Sequence, residues 1–185
     1  TDVSIGRVEQ GDDIGFFLNP TPNEANGSQS VMGVLNELTI AQETGFYNED
    51  FIYIGVYADE NDVNIYYTLD GSEPTNQSNL YSGPIFIQEN KVLRAIGIKS
   101  GWLSSPIITR TFIFDSDSQG FPAIFLSTAP ENFFDYYTGI YVMGPNASAD
   151  YPHFGANFWE DWEKPIYLEV LEEDGVYFSS PAGVK

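Results

Sequence analysis

The oxygen-rich stretch YYTLDGSEPT, residues 66–75, has the residue types of a cation or phosphate loop. Asp70, Ser72, Glu73 and Thr75 could all present oxygen to a ligand, and Asp70 and Glu73 are the candidate ligands for a calcium ion. The spacing argues against a dedicated loop. An EF-hand alternates oxygen ligands over about twelve residues and closes on a glutamate, and that pattern is absent. A phosphate loop needs several glycines running into a helix with a lysine, and none follows. The same residues make a good corner. Asp70-Gly71 permits a tight turn, Ser72 and Thr75 can bond nearby backbone, and Pro74 fixes the chain beyond them.

Carboxylates also gather at Asp59, Glu60 and Asp62, at Glu160, Asp161 and Glu163, and at Glu172, Glu173 and Asp174. A pair of carboxylates hydrolyses glycosides only when held at a set separation across a cleft. These runs sit in turn-like sequence, where charged side chains are solvated. His153 is the single histidine. A three-histidine metal site is therefore excluded, and no nucleophile-elbow motif accompanies it. The aromatic residues Trp102, Trp159, Trp162, Phe158, Tyr136 and Tyr137 could stack on sugars. Aromatic rings equally fill the cores and joints of β-sandwiches. Trp102, in KSGWLSS, is the first candidate for a carbohydrate-facing ring, with Trp159 and Trp162 beside it.

Composition narrows the partners. The chain has 185 residues and a formal net charge of −20, with 7 lysines and arginines in all. Too few cations are present to line a nucleic-acid groove, and the field repels phosphate. An anionic membrane surface is disfavoured for the same reason, and no apolar run is long enough to insert. There are no cysteines, which removes disulfides, thiolate zinc sites and thiol nucleophiles. Hydrophobic residues make up 42% of the chain, enough to build a packed core. The start, TDVSIGRVEQ, lacks the basic and apolar regions of a signal peptide.

The elements that must position these residues read as strands. GFYNEDFIYIGVYA alternates, with Phe51, Tyr53 and Gly55 on one face and Ile52, Ile54 and Val56 on the other. VNIYYTL, IFI, KVLRAIGIKS and IITRTFIF continue the pattern. In KVLRAIGIKS, Val92, Arg94, Ile96 and Ile98 share a face. VMGVLNELTIA suits a strand or a short helix. Short strands separated by Gly, Pro, Asn, Asp and Ser turns predict an all-β sandwich over residues 31–115. Residues 1–30 read as the end of another unit and a linker, since Pro20 and Pro22 exclude helix. DSDSQG, residues 115–120, marks a boundary. Beyond it, FPAIFLST predicts a strand, APENFFDYYTGIYV a helical turn and then a strand, and IYLEVLEEDGVYF a hairpin. So few elements rarely stand alone, so residues 120–185 read as the opening of a partial α+β domain.

Three resemblances follow from these residues. YYTLDGSEPT, YSGPI and LRAIGIKSGWLSSP resemble the chitobiase/β-hexosaminidase C-terminal module. That resemblance implies a fibronectin III-like or immunoglobulin-like sandwich of accessory type. PENFFDYYTGIYV and NFWEDWEKPIYLEV resemble the N-terminal portion of spore-coat CotH-like proteins, some of which are atypical kinases. The catalytic segments of that family would lie beyond Lys185, so the resemblance places no catalytic residue in this chain. SIGR and PTPNEANG are similar to the end of a lamin-tail domain.

Together they imply a noncatalytic accessory or spacer module of a large bacterial secreted or cell-surface protein. Its expected partners are the neighbouring domains of that protein, a polysaccharide or another surface protein. The alternatives are a carbohydrate-binding module and a slice of a kinase-like enzyme.

Overall fold

A computed structural model describes residues 4–8, 14–17, 30–114, 121–172 and 175–185. The DSDSQG boundary and most of the proposed N-terminal linker lie outside them.

Strands β1 (Ser4–Arg7) and β2 (Ile14–Phe17) form an antiparallel hairpin. It is tied to the chain ahead by two backbone bonds between Phe16 and Val31. The stretch around VMGVLNELTIA is extended, ending in β3 (Thr39–Ile40), and forms no helix. There follow β4 (Gly45–Tyr47), β5 (Ile52–Ile54), β6 (Val56–Tyr57), β7 (Asn64–Thr68), β8 (Asn79–Leu80) and β9 (Ile85–Ile87). The two long strands are β10 (Lys91–Ile98) and β11 (Ile108–Phe114).

The strands make the two layers of a β-sandwich. One is a sheet in the order β4-β11-β10-β7-β8. The other combines the pairs β3-β6 and β5-β9, with Gly55 between β5 and β6 where the chain changes partner. Alternation dictates which side chains meet between the layers. Leu93 and Ala95 of β10, Phe112 and Phe114 of β11, Ile54, Val56, Ile85 and Ile87 are all buried in one cluster. Tyr47 caps that cluster with its ring 5.6 Å from Phe112 and 5.9 Å from Phe114.

Beyond the boundary come β12 (Ala123–Ser127), the short helix α1 (Pro130–Phe134), β13 (Lys164–Glu172) and β14 (Gly175–Val184). A 3-10 turn covers Asn157–Trp159. The hairpin expected over IYLEVLEEDGVYF is present, and β12 adds to it as a third antiparallel strand. The strand expected at GIYV is not. Gly139 N–H donates to Asp135, Ile140 to Asn132 and Tyr141 to Phe133, all on carbonyl oxygens. These bonds fold the segment back onto α1 and consume the groups a ladder would need.

This third sheet packs on the outer face of the five-stranded one. Val92, Arg94 and Ile96 face outward there beside Thr109 and Thr111, as the register requires. On the facing side, Phe125 and Ser127 of β12 alternate with the exposed Ile124 and Leu126. The Phe125 ring lies 6.1 Å from Phe46 of β4. The fold is thus β-rich, with two sandwich layers and a third sheet docked on one of them.

Candidate functional site

The DGSEPT corner is built from its own side chains. The Asp70 carboxylate accepts from the Ser72 N–H at 3.0 Å and from the Ser72 hydroxyl at 2.5 Å. That hydroxyl bond, helped by backbone N–H groups and Lys91, holds Asp70 below the usual carboxylate range despite some desolvation. The Thr68 hydroxyl donates to the Ser72 carbonyl, the Ser78 hydroxyl oxygen accepts the Thr75 N–H, the Thr75 hydroxyl oxygen accepts the Gln77 N–H, and the Ser78 N–H donates to the Thr75 carbonyl. Gly71 has φ of +83°. A Cβ there would come within 2.6 Å of the Thr128 carbonyl oxygen. The corner therefore abuts the segment that follows β12, which makes it part of the joint between the sandwich and the third sheet. Glu73 lines a crevice of that joint.

The crevice has a volume of about 360 Å³. Arg94, Ile107, Asn132, Pro165 and Tyr167 line it alongside Glu73. Arg94 donates to the Gly71 carbonyl at 3.2 Å. Burial lowers its pKa, which the charges of Glu73 and Tyr167 partly offset.

Beside the crevice, Glu169 of β13 is 1% exposed. The hydroxyls of Thr44 and Thr111 donate to its two carboxylate oxygens, Thr111 at 2.6 Å. The Thr44 oxygen also accepts the Thr111 N–H at 3.0 Å, and the Ser127 hydroxyl lies 3.3 Å from that of Thr111. Burial pushes the Glu169 carboxyl above its ordinary value, against the pull of these hydroxyls and of Arg110. Neither Glu169 nor its threonines were candidates from sequence. The available signal was a carboxylate midway along an otherwise apolar strand, IYLEVL.

The three tryptophans stand apart. Trp102 lies against Gly33, where a Cβ would meet its ring at 2.5 Å, and Lys99 Nζ sits 4.8 Å from its centre. Trp159 is exposed and packs with Phe154 and Phe158, both at 5.9 Å, while its indole N–H donates to the Pro152 carbonyl. Trp162 pairs instead with Lys164. Tyr136 and Tyr137 form their own edge-to-face pair. A further exposed group is Phe51, Tyr53 and Phe86, whose rings are 5.5 to 5.8 Å apart on β5, β9 and the residue preceding β5. Leu126, Phe134, Tyr141 and Phe158 line an apolar groove of about 510 Å³ on the side of the third sheet away from the sandwich.

The acidic runs lie mostly on the exposed surface, and Glu173 and Asp174 fall outside the described residues. Among the described residues, no three acidic or histidine side chains are grouped to hold a metal ion. His153 takes φ of +62°, with Nδ1 3.0 Å from the Ser148 carbonyl, in a turn.

Residues 54–112 match the family described as "Fn3 associated". The match begins at the end of β5 and stops in β11, so it covers most of the sandwich and none of the third sheet. No curated protein matches the chain.

Proposed function

We propose that the chain is a noncatalytic accessory and spacer module of a large bacterial secreted or cell-surface protein, with its sandwich holding a following CotH-like domain in place. The observation that carries this reading is the docked joint between the two parts. The matched sandwich ends in β11, and β11 supplies Thr111 to the interface with β13. A spacer that only separated domains would need no such contact, because flexible linkers do that. Phe46 against Phe125 and Gly71 against Thr128 extend the contact beyond Glu169. The charge of −20 suits a soluble surface protein and opposes anionic partners.

A second reading, a carbohydrate-binding module, is favoured by the exposed Trp159 with Phe154 and Phe158 around it. Native affinity electrophoresis through gels holding soluble β-glucan, chitosan-free chitin oligomers or peptidoglycan fragments separates the two. The spacer reading expects mobility unchanged in every gel. Retardation that disappears in Trp159→Ala would overturn it in favour of glycan binding.

A further inference from the structure

Glu169 stands between two sheets that the chain joins late. Its carboxylate reaches two hydroxyls of the sandwich, Thr44 just before β4 and Thr111 on β11. No lysine or arginine pairs with it among the described residues. The charged groups facing it are Arg110 and Glu43, which hold each other at 3.3 Å on the sandwich side. Arg94 and Tyr167 face the neighbouring crevice together with Glu73. The described residues of β12 and β14 carry no charged side chain. A buried carboxylate bonded only to neutral hydroxyls is poorly compensated when ionised.

The hydroxyl network can accept either form. With Glu169 ionised, Thr111 donates to it and Ser127 donates to Thr111. With Glu169 neutral, its own Oε2–H donates to Thr111 Oγ1, and the Thr111 proton turns to Ser127 Oγ, 3.3 Å away. Thr44 donates to Oε1 in both cases while accepting the Thr111 N–H. Gain or loss of one proton thus needs only the turning of two hydroxyls. In the separated state the same carboxyl meets water.

We infer that Glu169 is a proton-operated lock between the sandwich and the third sheet, tightened when its carboxyl is neutral and loosened when it ionises. The lock depends on the docked joint and not on what the parent protein does, so it can fail while the spacer reading stands. The sign follows from linkage. The docked state holds the proton more tightly than the separated one. The lock is therefore fully engaged below the ordinary glutamate range, and its contribution is lost as pH rises through the docked carboxyl's higher value. Across that window the opening equilibrium grows by about tenfold per pH unit, then levels off.

Hydrogen exchange on the full chain tests this, comparing wild type with Glu169→Gln at the same pH so that intrinsic chemistry cancels. The amide of Thr111, which donates to Thr44, reports the joint, and that of Leu93 reports the sandwich core. The expected result is a wild-type to variant ratio of Thr111 exchange that rises with pH by up to about tenfold per unit. Leu93 exchanges only when the sandwich itself unfolds, which also frees Glu169, so its ratio carries the same pH dependence at a much slower rate. A ratio for Thr111 that is flat from pH 4 to 8 overturns the lock, as does wild-type Thr111 exchange as slow as that of Leu93, which would mean that the joint opens only with the whole sandwich. A carbon-13 titration of the wild-type Glu169 carboxyl gives an independent reading, and a carboxyl titrating in the ordinary glutamate range also overturns it.

Discussion

At the scale of single residues, Gly71 meets two demands that no other residue type meets together. Its φ of +83° lies where a side chain is strained, and the Thr128 carbonyl occupies the space a Cβ would need. The first demand belongs to the corner and the second to the joint. Gly71→Ala should therefore destabilise the chain by about 1–3 kcal/mol through backbone strain, with further loss from the displaced Thr128 segment. Urea denaturation measures the total, and Thr111 amide exchange shows whether the joint loosens with it. A variant as stable as wild type would mean the corner relaxes without pressing on Thr128. Asp70 differs in kind: Ser72 donates both its N–H and its hydroxyl to one carboxylate oxygen, Oδ1, and so closes the corner from within.

The elements explain which features could be seen in the sequence and which could not. The alternation in KVLRAIGI predicts the two faces of β10 correctly, because a strand buried on one side repeats every second residue. The faces it separates do unequal work. Leu93, fully buried, points into the sandwich, while Ile96 is half-buried on the face toward the third sheet. Leu93→Ala should cost about 3 kcal/mol, within the range for a core leucine that leaves a cavity, and Ile96→Ala clearly less. Thermal or urea melts of the pair check this, and equal losses would mean the outer face is packed as tightly as the core.

Alternation alone does not distinguish an outer face in water from one covered by a further sheet. In ITRTFIF, Thr109 and Thr111 carry the polar signature of an exposed face, yet both are buried. They are covered by a sheet whose strands the sequence predicts but whose docking no local pattern announces. Glu169 was missed for the matching reason, since a lone carboxylate in a strand normally faces water. DGSEPT was recognisable because turn chemistry is local. Its contact with Thr128 is a long-range fact, and local chemistry is silent on it.

At the scale of the whole molecule, charge sets the largest unspent interaction. A net −20 on a 20.6 kDa chain makes every compact state repel itself. Among the described residues, Lys91–Glu89, Arg110–Glu43 and Lys185–Asp161 are attractive pairs. Each has an exposed carboxylate, and pairs of that kind contribute little. Salt weakens attraction and repulsion alike, so the larger sum decides the direction. Raising sodium chloride from 10 to 100 mM shortens the screening length from about 30 Å to about 10 Å. Most of the repulsion acts across such distances, whereas the pairs act at contact. Stability should therefore rise with salt, by an amount on the order of 1 kcal/mol, seen as an increase of about 2–4 °C in melting temperature for a chain of this size. The joint should gain with the rest, because the acids of both parts are brought closer by docking. A melting temperature that falls between those salt concentrations would show that the attractive pairs outweigh the net charge.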